Sequence, residues 1–135
     1  MSDFAVWNLV AEEDGTRLEE RLRSEGYAVR ALRTAHVVDD ASFWAQAASD
    51  LGFKIPATNW SSFTDLAYQA LVPNDNEPDS TALVWYGAGA TLSRSLTTFL
   101  MVFDVLVDQA RTLYSQGSTV LLFLLGQGHG FPPIS

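Results

Sequence analysis

Six consecutive apolar residues, Val120 to Leu125, constrain this chain more than any other feature. A strand on a half-solvated sheet alternates apolar and polar residues, because successive side chains point to opposite faces. A run with no polar residue is covered on both faces, as in parallel sheets packed between helices. At six residues it is also far short of the roughly 18 that a membrane span requires. The rest of the chain must therefore supply other strands and helices for two faces.

It does so in alternation. Phe4 to Val10 alternates apolar residues around Trp7 and is expected to form a strand, followed by a polar turn at residues 11–15. Thr16 to Glu25 has Leu18 and Leu22 on one face of a short helix that Gly26 is placed to stop. Tyr27 to Leu32 is rich in strand formers. Asp39 or Asp40 can cap a helix over Ala41 to Leu51, with Phe43, Ala47 and Leu51 facing inward and Gly52 at its end. Pro56 keeps the segment before it extended or turning. A helix over Asn59 to Leu71 presents Trp60, Phe63, Leu66, Ala67 and Ala70 as its apolar stripe. Val72 to Ser80 is a loop with two prolines, two asparagines and three acids. Thr81 to Tyr86 is a strand, Gly87-Ala88-Gly89 a turn, and Ser93 to Ser115 one long helix that Gly117 terminates. Ser118 to Leu125 is the final strand, and residues 126–135 form an irregular tail.

This order predicts an α/β fold: a three-stranded parallel sheet of residues 27–32, 81–86 and 119–125, flanked by helices. Residues 4–10 offer a fourth, edge strand. With 135 residues and no internal repeat or linker, the chain is expected to be a single domain, residues 1–26 being an N-terminal extension.

Charge narrows the partners. Sixteen acids oppose eight bases, for a formal charge of −8, and residues 34–135 contain only Lys54, Arg94 and Arg111 as bases. So few cations cannot neutralise a phosphate backbone, which argues against nucleic acid as a ligand. An acidic field instead favours a basic protein partner. There is no cysteine, hence no disulfide framework and no thiol chemistry. The start Met-Ser-Asp-Phe lacks the basic and apolar regions of a signal peptide, so a cytoplasmic location is expected.

Candidate chemistry is sparse. His36 and His129 are the only histidines, with no ligand-type partner at helical spacing and no nucleophile elbow in the chain. Gly87-Ala88-Gly89 follows a strand but lacks the third glycine and the downstream acid of a dinucleotide loop. Asn59-Trp60-Ser61 fits a glycosylation pattern that matters only in a secreted protein. Glu12-Glu13 and Glu19-Glu20 are expected on a solvated face. No cofactor or metal is implied.

The stretch Asn59-Trp60-Ser61-Ser62-Phe63-Thr64-Asp65-Leu66 is more informative. Helical spacing turns Trp60, Phe63 and Ala67 to the core and places Ser61, Asp65 and Tyr68 on another face. Asp65 has no Lys or Arg within four residues on either side.

This Asn-Trp-x-x-Phe-x-Asp helix, preceded by Asp50-Leu51-Gly52-Phe53 and Pro56 and followed by Leu83-Val84-Trp85-Tyr86, resembles the barstar family of ribonuclease inhibitors over most of residues 27–125. The resemblance implies a non-enzymatic inhibitor, monomeric when free, that blocks the active site of a basic ribonuclease or related bacterial toxin in an immunity role. It implies that Asp65 mimics a substrate phosphate, that Asn59 positions the loop before the helix, and that Thr64 and Tyr68 add contacts beside Ser61. The chain departs from the family in three places. The segment from Pro56 to Asn59 is about three residues short and lacks tyrosine, Thr64 replaces an aromatic, and Thr112 and Gln116 stand where the family has acids. The alternative is a barstar-like interaction module whose partner is not a nuclease. An enzyme built on the Gly87–Gly89 turn ranks third.

Overall fold

The computed structural model describes residues 7–134. Four strands form one parallel sheet in the order β1-β4-β3-β2: β1 Trp7–Ala11, β2 Ala28–Arg33, β3 Ser80–Tyr86 and β4 Thr119–Gly126. The sheet thus has four strands rather than three. The N-terminal strand pairs along β4, with Trp7 opposite Leu122 and Leu9 opposite Leu124. Residues 4–6 of the expected strand lie outside the described residues. The apolar run is covered on both sides, as its composition requires. Val120, Leu122 and Leu124 enter the main core with Leu32, Leu83 and Trp85, whereas Leu125 packs with Val10, Ala82 and Val84 on the opposite face.

Five α-helices among the described residues complete the fold: α1 Gly15–Ser24, α2 Asp40–Leu51, α3 Trp60–Leu71, α4 Ala88–Arg94 and α5 Leu96–Ser115. Helix α1 buries Leu18 and Leu22 on the smaller core, while α2, α3 and α5 cover the larger one. The long helix expected over 93–115 is broken at Ser95, whose φ of −146° is extended. Its hydroxyl donates to Thr98 Oγ1 at 2.9 Å, a local bond that competes with helix continuation. The expected turn at 87–89 shrinks to Gly87 alone, because Ala88 and Gly89 already belong to α4.

Gly87 has φ of +77°, and a Cβ there would stand 2.5 Å from the Ala35 backbone nitrogen. Gly52 has the same φ but open space around it. Both alanine substitutions incur the left-handed penalty of about 1–2 kcal/mol, and only Gly87→Ala adds a backbone collision. Urea unfolding is therefore expected to show a larger loss for Gly87→Ala than for Gly52→Ala.

Helices α2 and α3 begin alike. Asp39 and Asn59 each accept the N–H of the residue three positions on, Ser42 or Ser62, at 2.8 Å, and each serine hydroxyl accepts the cap residue's own N–H. Phe43 and Phe63 follow, fully buried, with Ala47 and Ala67 a turn later. The first residues also meet: Trp60 Nε1 donates to Asp40 Oδ2 at 3.3 Å, and Thr98 Oγ1 donates to Asp40 Oδ1 at 2.7 Å. Asp40 thus joins the starts of α2, α3 and α5.

The polar loop after α3 is held by Arg30. Its Nε donates to Ala70 O, and its two terminal nitrogens donate to the Glu77 carboxylate at 2.9 and 2.8 Å. The Arg30 hydrogen bonds, aided by the Asn74 N–H, hold Glu77 down to about 2 from an ordinary 4.5. A depressed folded pKa contributes stability that is complete above about 4.5, declines as pH falls, and is gone below about 2. Glu77→Gln is expected to cost about 1 kcal/mol at pH 7 and to match the parent near pH 2 in denaturant titrations.

Candidate functional site

The site is built on α3. Its N-cap, Asn59, has a φ of −158° and its side-chain Oδ1 accepts the Ser62 N–H, while Ser62 Oγ accepts both Thr58 N–H (3.1 Å) and Asn59 N–H (3.3 Å). Asn59 therefore fixes where the helix begins, and the Ser62 hydroxyl holds the residue before it. Phe63, Ala67 and Leu71 anchor the inner face. Trp60 is only half-buried, packing 4.5 Å from Trp44 and 5.9 Å from Phe63 by ring centroids. The expectation that it faces the core holds for its ring contacts, but the side chain is only partly buried.

The outward ridge consists of Ser61, Asp65 and Gln69, all exposed. Asp65 makes no hydrogen bond or ion pair among the described residues, so its carboxylate oxygens are available as acceptors. Thr64 and Tyr68 turn toward α5 instead. The Thr64 hydroxyl donates to Trp60 O at 2.8 Å, and the Tyr68 hydroxyl donates to Gln116 Oε1 at 2.7 Å. A shallow groove between the helices is lined by Thr64, Asp65, Tyr68, Gln69 and Gln109. Of the five residues singled out in the sequence, Asp65, Thr64 and Tyr68 share this groove. Ser61 stands a turn away on the ridge and Asn59 lies beneath it at the helix start.

A second groove runs along the other side of the ridge. Leu51, Phe53, Ile55, Leu66 and Ala70 form its apolar lining, and Lys54 and Gln69 its polar edge. Ile55 is 77% exposed, the highest value of any large apolar side chain in the described residues. Sequence reasoning missed it. The available signal was its place before Pro56, which holds the chain extended and leaves no helix to fold the side chain inward. Gln69 lines both grooves, so the ridge carries a free carboxylate between a polar trough and an apolar one.

The other sequence candidates resolve differently. At the Gly87 turn the backbone N–H donates to both Glu12 carboxylate oxygens, at 3.1 and 3.2 Å. The position where a dinucleotide loop would meet a phosphate is thus filled by the chain's own acid. Glu12 and Glu19 do not lie on a purely solvated face, since Glu19 accepts the Tyr86 hydroxyl as well as Arg23. That bond and burial push the Tyr86 phenol well above its ordinary range, burial being the larger cause. His36 and His129 are exposed on separate loops. No group of three or more metal-ligating side chains occurs among the described residues, and none of their helices is long and apolar enough to cross a membrane.

No protein family, curated protein or solved structure matches this chain significantly.

Proposed function

We propose that this protein is a barstar-like inhibitor that binds a basic ribonuclease or related bacterial toxin through the outward ridge of α3. The observation carrying this reading is Asp65: an uncompensated carboxylate on a helix fixed at its start by a capping box and along its inner face by Phe63 and Ala67. Such a group is preorganised to accept charge-assisted hydrogen bonds from Arg, Lys or His⁺ in an anion site. The apolar trough with Ile55 beside it supplies contact area of the kind that excludes water around a central charge. The excess of acids accelerates encounter with a basic partner. Glu12 at the Gly87 turn argues against cofactor binding there and so favours a binding protein over an enzyme. In this reading the protein acts in the cytoplasm as a free monomer and requires no cofactor.

Two features favour the second reading, an interaction module with a different partner. Tyr68 is held by Gln116, a neutral residue where the resemblance has an acid, and the loop before α3 offers Ile55 rather than tyrosine. The readings part in one experiment. Proteins captured from the native lysate and culture medium are assayed for RNA hydrolysis with and without added inhibitor. The proposal expects a basic ribonuclease inhibited at one-to-one stoichiometry, with affinity falling steeply as salt rises. A captured partner with no nuclease activity would transfer the case to the second reading.

A further inference from the structure

Helix α5 turns Val102, Leu106, Ala110 and Leu113 into the core, and one amide stands among them. Gln109 is only 8% exposed, yet its side chain makes no hydrogen bond with any described residue. Buried amides almost always have partners, because the water they give up must be replaced. A glutamine kept only to fill this position has better substitutes. Leucine and methionine are similar in size, form helices as well and bury no polar atom. Packing alone does not account for the residue.

The amide is not sealed in. Thr81 Oγ1 is the one fully buried side-chain polar atom without a partner among the described residues. Gln109 therefore opens into the groove that it lines with Thr64, Asp65, Tyr68 and Gln69. Two of those groups are already used: the Thr64 hydroxyl donates to Trp60 O, and the Tyr68 hydroxyl to Gln116 Oε1. The Asp65 carboxylate and the amides of Gln69 and Gln109 remain without partners among the described residues. Asp65 and Gln69 are exposed, whereas Gln109 lies deep.

We propose that this groove is a receptor for one arginine side chain of the basic partner, with Asp65 at its rim and Gln109 at its floor. The inference rests on the reading of α3 as the partner-binding element. The acceptors choose the group. A guanidinium places two parallel N–H bonds on a carboxylate and has further donors in the same plane for the Gln109 Oε1. An ammonium is a compact point charge that is more strongly hydrated, so it loses more on entering a nearly buried site. An anion would meet Asp65 directly and be repelled. The neighbouring charges fit as well. Past Thr64, the adjoining groove holds Asp104 and Asp108 against Arg111, so the approach stays net negative. Gln109 is then a specificity residue, reading arginine in preference to lysine at a position Asp65 alone would leave open to either.

Two measurements on the full chain test this. In the first, N-acetyl-arginine amide and N-acetyl-lysine amide are titrated separately while the side-chain amide signals of Gln69 and Gln109 are followed by NMR. The arginine probe is expected to shift both signals and to bind about fivefold tighter than the lysine probe. Gln109→Leu should erase that preference while melting no lower than the parent, and Gln109→Met replaces it if leucine disturbs packing. Equal binding of the two probes, or no shift at Gln109, overturns the inference. In the second, the partner captured from the native lysate is titrated against Gln109→Leu and Asp65→Ala, and Gln109→Leu is expected to weaken it about tenfold. A partner that loses affinity for Asp65→Ala but binds Gln109→Leu unchanged overturns the arginine receptor and leaves the reading of α3 standing. One indifferent to both substitutions overturns the two together. If the arginine probe binds through Gln109 while the partner ignores that residue, the groove takes a free guanidinium compound, and the assignment to a partner's arginine fails.

Discussion

Phe63→Ala is expected to lower stability by about 3–5 kcal/mol, the largest single effect foreseen in this molecule. Phe63 is completely buried and its ring stands 5.0 Å from Phe43 and 5.9 Å from Trp60 in edge-on contacts. Its removal leaves a cavity enclosed by rings that belong to two helices, and neither can collapse without drawing its capping box out of place. For a chain of this size the loss corresponds to roughly 10–20 °C in melting temperature. Trp60→Ala is expected to be milder, because that side chain is only partly buried whereas Phe63 is completely so. Calorimetric melting of both variants checks the order. If Trp60→Ala proves as costly as Phe63→Ala, the inner face of α3 has been misjudged.

Asp65→Ala, two residues along the same helix, is expected to do the opposite. Its fold should hold, since an exposed helical aspartate replaced by alanine changes stability by about 0.5 kcal/mol or less. Its partner affinity should fall by about 2–5 kcal/mol, because truncation leaves the partner's desolvated cations without an acceptor. That range is drawn in part from complexes of the resembled family. Calorimetric titration of the captured partner against both proteins provides the measurement. Equal affinity for Asp65→Ala and the parent would end the phosphate-mimic role without touching the fold. Ile55→Ala separates the remaining contribution: a smaller loss, insensitive to salt, is expected if the apolar trough also makes contact.

The sequence made the order of elements legible because each was marked locally. The run at 120–125 required cover on both faces, and Gly26, Gly52 and Gly117 each follow the helix they were expected to end. Asp65 was visible as an acid with no helical neighbour to neutralise it. What escaped depended on contacts distant in sequence. The break at Ser95 needs a serine hydroxyl directed to Thr98, in a stretch whose apolar period runs on uninterrupted. Glu12 and Glu19 looked solvated until strand β3 brought Gly87 and Tyr86 to them. Tyr68 shares its face with Asp65 by helical spacing, yet Gln116, 48 residues away, draws its hydroxyl toward α5. Ile55 was passed over because a loop residue has no periodicity to violate.

The matched starts of α2 and α3 have a consequence for experiments. Ser, Phe, Ala and Leu recur at 42 and 62, 43 and 63, 47 and 67, and 51 and 71, a 20-residue echo confined to the inner face and the cap. Outward, the two helices differ: Ala41, Ala45 and Ser49 on one, Ser61, Asp65 and Gln69 on the other. The molecule therefore carries an internal blank, a second helix started and seated in the same manner but without the acid. Ala45→Asp places an aspartate at the position of α2 that corresponds to Asp65. Installed in an Asp65→Ala background, it asks whether a partner reads a carboxylate on any helix of this kind, or only one set between the two troughs beside α3.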